Sequence, residues 1–376
     1  MDVPLNEFEE SGLNVPGHLY LQFGSPGPGL LKKVATMMKT GMNLYQERHR
    51  HEEALQYGCL SGNGLLRLEL AKFLTRQYGQ VVERDDIFIT NGATGGLDSL
   101  MKHFFTRDHV IFVENPTYQT FARHVVNDDQ MRVVPIAMRD DGADMEELEK
   151  SLESLPPVNL TSRRPFRAAM YVIAIHHNPT GICYSPEKCR KLVKLARKYE
   201  MLVICDDVYN VLNYVTDPVD PDKFKFAPQR LFAYDNKQDS DYKGHIVANG
   251  SFSKFAGPGL RLGWYELPKR LFVHLEDSYF IESASGMMSY SSTIMTDVLS
   301  SGMMDEHVQI VRKQFKVRME KSISIIQSSV SKYGVKCSQP SGGCFLWVEM
   351  PEEVTAEMVF PVAQNKEHVS FIKGEL

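Results

Sequence analysis

A chain of 376 residues, 43% hydrophobic and 24% charged, carries enough apolar side chains for a sizeable core, and its length sets an expectation of about two to three domains. Its net charge of −5 excludes the basic footprint of a nucleic-acid binder, and no apolar run approaches the roughly 18 residues of a membrane span. Six scattered cysteines, Cys59, Cys183, Cys189, Cys205, Cys337 and Cys344, lack the paired short spacing of a zinc site, so reduced thiols in a cytoplasmic protein with no metal ligand set are expected. The start, Met1 to Glu7, is acidic and has no apolar centre, unlike a secretory leader.

Along the chain, Leu19 to Phe23 reads as a short strand and Gly24 to Gly29 as a loop, because Gly and Pro interrupt both regular structures. A helical pattern follows through Val34, Met37 and Met38. The basic run Arg48 to His51, flanked by Glu47, Glu52 and Glu53, reads as a solvated helix face. After the turn at Gly62–Gly64 another helix spans Leu65 to Tyr78.

Strands and helices then alternate. Short apolar, β-branched runs suited to burial on both faces occur at Ile87–Ile89, Val110–Val113, Arg132–Ile136, Ala169–Ile175, Leu202–Cys205, Ile246–Ala248 and Leu262–Tyr265. Helical patterns lie between them at Leu97–Phe105, Met145–Leu152 and Pro186–Tyr199. Such alternation implies an α/β fold with a mainly parallel, seven-stranded sheet between helices. Residues 46–278 are read as this large domain. Residues 1–45 form an arm that joins a smaller α+β domain made by 279–376, with a long helix from Asp305 to Tyr333 and a strand at Cys344–Val348. Asp217 to Pro228, rich in turn pairs, reads as an exposed insertion.

Four segments carry chemistry. In Gly250-Ser251-Phe252-Ser253-Lys254, followed by a Gly-Pro-Gly turn and Arg261, a lysine stands just after a strand. An amine there, desolvated or near positive charge, suits Schiff-base chemistry. Ser251, Ser253 and the forked guanidinium of Arg261 together suit a phosphate. A surface lysine in a loop is the alternative. Asn178-Pro179-Thr180-Gly181 is a turn at a strand end, where open α/β sheets bind ligands, and its amide can bond a ring oxygen. In Asp206-Asp207-Val208-Tyr209, an acid at a strand end can hold a pyridinium nitrogen protonated and make the ring an electron sink. Adjacent acids also suit a metal or a nucleotide. Finally, Thr90 to Gly96 joins a strand to a helix with small residues, a ready phosphate seat without the P-loop lysine or dinucleotide glycine spacing.

Taken in order along the chain, these segments resemble the fold-type I, class I and II aminotransferases that use pyridoxal 5′-phosphate, above all the aminoadipate and aromatic aminotransferase branch, whose Pro-Gly-Leu-Arg-Leu-Gly-Trp run stands here at 258–264. The resemblance spans Gly24 to Trp347. It implies that Lys254 forms the cofactor Schiff base and then moves the proton, and that Asp206 pairs with the pyridinium nitrogen. It further implies that Asn178 and Tyr209 bond the ring oxygen, that Ala93 and Thr94 seat the phosphate opposite Ser251, Ser253 and Arg261, and that Tyr118 stacks on the ring. Tyr57 matches a tyrosine that reaches the neighbouring subunit's phosphate, which implies a homodimer. Gly24 and Asn178 match residues beside the substrate. The implied activity is transfer of an amino group between an amino acid and a 2-oxo acid, with a lyase or decarboxylase of the same fold as the alternative.

One departure stands out. The family pattern continues through a segment like Val369–Gly374 and then supplies an arginine for the substrate carboxylate, whereas this sequence ends at Leu376. A truncated small domain, weaker substrate orientation and even a non-catalytic cofactor-binding protein are the corresponding expectations. His176 and His177 read as satisfied core or surface histidines that border the substrate region.

Overall fold

The computed structural model describes residues 17–22, 24–48, 51–284 and 286–374. The readings of Met1–Glu7, Phe23, His49, Arg50 and Leu376 fall outside these residues. In chain order the strands are β1 (Leu19–Tyr20), β2 (Ile87–Thr90), β3 (Val110–Asn115), β4 (Arg132–Arg139), β5 (Gly142–Ala143) and β6 (Ala168–Val172). They continue with β7 (Met201–Asp206), β8 (Ile246–Ser251), β9 (Gly263–Glu266), β10 (Lys336–Cys337), β11 (Val348–Glu349) and β12 (Val369–Ser370). The seven strands read from the sequence for the large sheet all form. An eighth, the two-residue β5, turns back along β4 at the edge.

The sheet order is β2-β9-β8-β7-β6-β3-β4-β5. The run β8-β7-β6-β3-β4 is parallel. β9 runs against both neighbours, so β2 points the same way as β8. Six strands therefore end on one edge of the sheet, and β9 begins there. The chain steps from β3 outward to β4 and β5, then returns to place β6 on the other side of β3. That reversal opens the crevice in which open α/β sheets hold ligands.

Burial explains the strand composition. Every residue of β2, β6, β7, β8 and β9 is buried. On one face Phe112, Met170 and Val203 pack with Leu148 and Leu192 of the covering helices. Those helices start on strong caps. Asp144 accepts from the Glu146 and Glu147 amides, and Ser185 caps Pro186–Tyr199, which has proline in its first turn.

By contact the described residues form two compact units. The larger comprises Ser25–Arg318 and Gln339–Leu346, and holds the sheet. The smaller draws on Met1–Gly24, Met319–Ser338 and Trp347–Leu376. In it β1 pairs in parallel with β12, and β10 pairs antiparallel with β11 beside the helix Ala356–Asn365. The strand expected at Cys344–Val348 is reduced to Val348–Glu349, because residues up to Leu346 leave as a loop that belongs to the larger unit. The segment Asp217–Pro228 is largely exposed as expected, while Phe224 tucks in as Thr216 bridges to it.

The end of β8 is set by close packing. Gly250 lies opposite Trp264 of β9, and a methyl group on Gly250 would overlap the indole. Gly250→Ala is expected to destabilise the protein by about 1–3 kcal/mol through overpacking, read as a lowered thermal midpoint. An unchanged midpoint would show that this contact does not hold the strand end.

Candidate functional site

The candidate residues gather along one sheet edge because each stands at or after the end of a strand that points there, or, for Arg261, just before the strand that starts there. Tyr118 caps the helix Gln119–Asn127 after β3, Asn178 follows β6, Asp206 ends β7, and Lys254 closes the short 3-10 turn after β8. Ala93 and Thr94 open the helix Ala93–Phe104 after β2, and Arg261 stands just before β9.

Asp206 is the buried centre of this group, at 6% exposure. Tyr171 Oη donates to its Oδ2 at 2.8 Å, and Asn249 Nδ2 donates to its Oδ1 at 2.9 Å. Burial pushes the Asp206 carboxyl up to about 6, opposed by the Tyr171 and Asn249 hydrogen bonds and by the positive charge of Lys254, with Glu114 adding to the rise. The neighbouring Asp207 turns elsewhere. Its Oδ1 accepts from the Cys205 thiol at 3.0 Å, and burial pushes it up to about 7. The two adjacent acids thus face different partners and do not form a chelating pair.

Lys254 Nζ lies 6.0 Å from the centre of the Tyr209 ring. Tyr209 is buried, with the Asn178 side chain close enough to oppose the rise in pKa that burial causes. Burial, with Cys344, Asp206 and Tyr118 nearby, drives its hydroxyl well above the ordinary tyrosine range, so it stands protonated as a donor. Cys344, which had no role in the sequence reading, also feels Lys254. Its thiol is pushed up to about 12 by desolvation, and the lysine opposes that rise.

At the other end, Gly92 precedes the helix Ala93–Phe104 with φ of 88°, a conformation that favours glycine. A side chain there would meet Arg261, whose Nη2 lies 3.1 Å from the Cβ position. Arg261 Nη1 donates to the Pro258 carbonyl at 3.0 Å. Ser251 Oγ donates to Ser253 Oγ at 2.9 Å and accepts from the Ser253 amide. In register, Gly263 faces Ser251 on one side and Thr90 on the other. The helix start, the two serines and the arginine therefore meet at one place.

Asn249 bridges both ends. Its Nδ2 donates to Asp206 and also to the Ala93 carbonyl at 3.1 Å. Sequence reasoning missed it, although a lone amide between Ala248 and Gly250 in a buried strand is a legible signal that a polar partner must exist. Tyr171 was missed for the same reason. A third group, Glu114 at the end of β3, accepts from Tyr184 Oη at 2.6 Å and from the Ile173 amide at 2.9 Å. Its Oε2 is 3.1 Å from His177 Nε2, while His177 Nδ1 is 2.8 Å from Thr180 Oγ1. This network fastens the loop that carries Asn178. His176, also buried, has φ of 52° and is pushed down to about 3 by burial, with Arg312 lowering it further. Both histidines are buried, and His177 is satisfied as expected, whereas His176 Nε2 has no hydrogen-bond partner.

Two candidates stand apart. Tyr57 is 74% exposed on the larger unit. Gly24 belongs to the smaller unit.

Residues 28–375 match the family model described as aminotransferase class I and II. The chain is 27% identical over 334 residues to aromatic-amino-acid aminotransferase 1 of Thermococcus litoralis, a match covering 88% of this chain and 73% of that protein. It is 25% identical over 360 residues to the 2-aminoadipate transaminase of Thermus thermophilus, covering 96% and 81%. Among solved structures, a Pyrococcus horikoshii kynurenine aminotransferase superimposes with a TM-score of 0.78 at 25% identity, covering 100% of this chain and 86% of that one. The Thermus thermophilus α-aminoadipate aminotransferase complexed with N-(5′-phosphopyridoxyl)-L-leucine shares the fold, with a TM-score of 0.77 at 23% identity and coverage of 99% and 86%.

The hydrogen bond from Tyr171 makes a measurable difference to Asp206. In cofactor-free protein the Asp206 carboxyl is expected to titrate near 6, and Tyr171→Phe, which removes a donor to the charged form, should raise that value. Carbon-13 NMR of labelled aspartate, assigned with Asp206→Asn, reads it directly. A value in the ordinary range near 4 would contradict the burial described here.

Proposed function

The chain belongs to the aminotransferase class I and II family, and from that premise we propose that it holds pyridoxal 5′-phosphate on the sheet edge described above and transfers an amino group between an amino acid and a 2-oxo acid. The observation that carries this reading is the buried Asp206 carboxyl, gripped by Tyr171 and Asn249 and within the field of Lys254. When bound, the cofactor supplies an aldehyde carbon and a ring that withdraws electrons from a substrate carbon.

The residues present fit such a group. A buried acid whose neighbours donate to both oxygens is poised to pair with a ring N–H cation. Tyr209 and Asn178, near each other, offer donors for an oxygen on the ring, and Tyr118 offers a face for stacking. The cradle at Gly92, with the amides of Ala93 and Thr94 at a helix N-terminus and Ser251, Ser253 and Arg261 beside it, suits a phosphate dianion. Lys254 Nζ would hold the cofactor through its aldehyde carbon and, as a free amine, would move the proton. Asp206 and Asn249 keep the charge and orientation of the site fixed while that proton moves.

Three finer readings follow. The exposed ring of Tyr57, beside Leu55 at 78% exposure, suits a symmetric homodimer in which Tyr57 reaches the phosphate of the neighbouring subunit. Gly24 is assigned to the substrate side. A cytoplasmic location fits the six free cysteines. Among the described residues no helix is long and apolar enough to cross a membrane. The names of the relatives make aromatic amino acids and 2-aminoadipate the first amino donors to try, with 2-oxoglutarate as a trial acceptor.

Purified protein mixed with pyridoxal phosphate should gain a visible absorption band that Lys254→Ala lacks. An amino acid should bleach that band and a 2-oxo acid restore it. A band that forms and never responds would overturn transamination, and its absence would overturn the cofactor assignment.

A second outcome concerns pH. The carboxylate of Asp206 is the form that pairs with a ring cation, and its carboxyl lies near 6 in the free protein. Cofactor affinity should therefore be level above about pH 7 and fall by up to about tenfold per pH unit below 6. Tyr171→Phe should move that limb upward, which a limb due only to the cofactor's own phosphate would not do. Fluorescence titration across the range distinguishes the two.

A further inference from the structure

Outside the residues already assigned, Asp98, His124 and Asp129 bring three ligand atoms within 4.8 Å of one another. Asp98 lies in the second turn of the helix Ala93–Phe104, His124 in the helix Gln119–Asn127, and Asp129 in the loop that leads to β4. His124 Nε2 is 3.3 Å from Asp98 Oδ1 and 3.5 Å from Asp129 Oδ2.

The other imidazole nitrogen defines the arrangement. His124 Nδ1 is 2.7 Å from Asp128 Oδ2. An ionised carboxylate only accepts, so Nδ1 carries a hydrogen, and Nε2 faces two further carboxylates. Lone pair against carboxylate is repulsive unless a cation, proton or metal, stands between them. Asp129 sharpens the need. Its side chain is only 5% exposed, and its Oδ2 has no hydrogen-bond partner, nor has His124 Nε2. Lys102 Nζ lies 2.6 Å from Asp98 Oδ1. Three carboxylates against one ammonium leave a surplus of two negative charges around the imidazole.

The spacing suits coordination. Donors about 2.1 Å from one metal stand roughly 3.0–3.5 Å apart when they are adjacent ligands, and His124 Nε2 stands 3.3 and 3.5 Å from the two carboxylate oxygens. A histidine held by a carboxylate on its far nitrogen is the usual support of a metal-bound imidazole. One nitrogen and two carboxylate oxygens favour a transition metal over calcium or magnesium, which take oxygen donors.

We propose that Asp98, His124 and Asp129 form a site for a divalent transition-metal cation of the zinc class, with Asp128 orienting the imidazole. Lys102, whose side chain is 63% exposed, yields its ion pair to the metal and swings into solvent. The metal cross-links the helix whose start carries Ala93 and Thr94 to the helix capped by Tyr118. The site is independent of the cofactor reading.

Full-length protein, stripped with a chelator, is titrated with zinc chloride by calorimetry and by competition against a chromophoric chelator. Wild type should bind one zinc ion per chain at this site. His124→Ala and Asp129→Asn should each weaken it by about a hundredfold or more, and Asp128→Asn by about tenfold. Lys102→Met should tighten it, since it removes the competing cation, and this variant keeps every ligand should His124→Ala fail to fold. Cobalt(II) in place of zinc should give visible bands without thiolate charge transfer, which separates this site from the exposed Cys59. No zinc bound, zinc bound equally by a folded His124→Ala, looser binding in Lys102→Met, or a thiolate band would each overturn the proposal.

Discussion

A carboxylate at the last position of a strand buried on both faces must be compensated, because an isolated ion in that setting costs several kcal/mol or more. Asp206 is such a residue. Its compensation comes from Tyr171 of β6 and Asn249 of β8, the strands on either side of β7. The three side chains therefore lock the registers of three neighbouring strands around one charge. Asn249 extends the lock to the start of the helix Ala93–Phe104 through the Ala93 carbonyl. Both ends of the candidate site, the acid and the anion seat, depend on this one amide.

What remains of the carboxyl's cost is visible in its raised pKa of about 6. Tyr171 and Asn249 lower the cost without cancelling it. A cationic ring nitrogen would complete the balance, so the same imbalance that strains the free protein favours the cofactor. The arrangement is a case of stability held back at a functional site.

Strand direction supplies the rest of the geometry. Because β9 alone among the long strands is reversed, the chain leaves β2, β3, β6, β7 and β8 at one edge and re-enters β9 there. Residues more than 150 positions apart, from Ala93 to Arg261, thus converge at that edge. The Glu114 network then fixes the loop that bears Asn178, tying the end of β3 to the segment after β6. The helices that follow β2 and β3 approach each other at Asp98 and His124. There a second cluster of charge forms, apart from the first and built on the flanks of the same two helices.

Local chemistry in the sequence was enough to determine the strands of the large sheet, several of its helices, and the residues at strand ends. A buried strand must be apolar, a helix start needs Asp144 or Ser185 as a cap, and Lys254 after β8 or Asp206 after β7 stands out against those apolar runs. Such signals are short-range, so they survive in a linear reading. Only tertiary structure decided which polar groups answer one another. Tyr171 and Asn249 look like ordinary strand residues until pairing across the sheet brings them to Asp206. The split of Asp206 from Asp207, the placing of residues 339–346 with the larger unit, and the grouping of Asp98, His124 and Asp129 depend likewise on crossovers between distant segments. Sequence spacing gives no hint of them, because hydrogen bonds and charge pairs act over a few ångströms of space and take no account of separation along the chain.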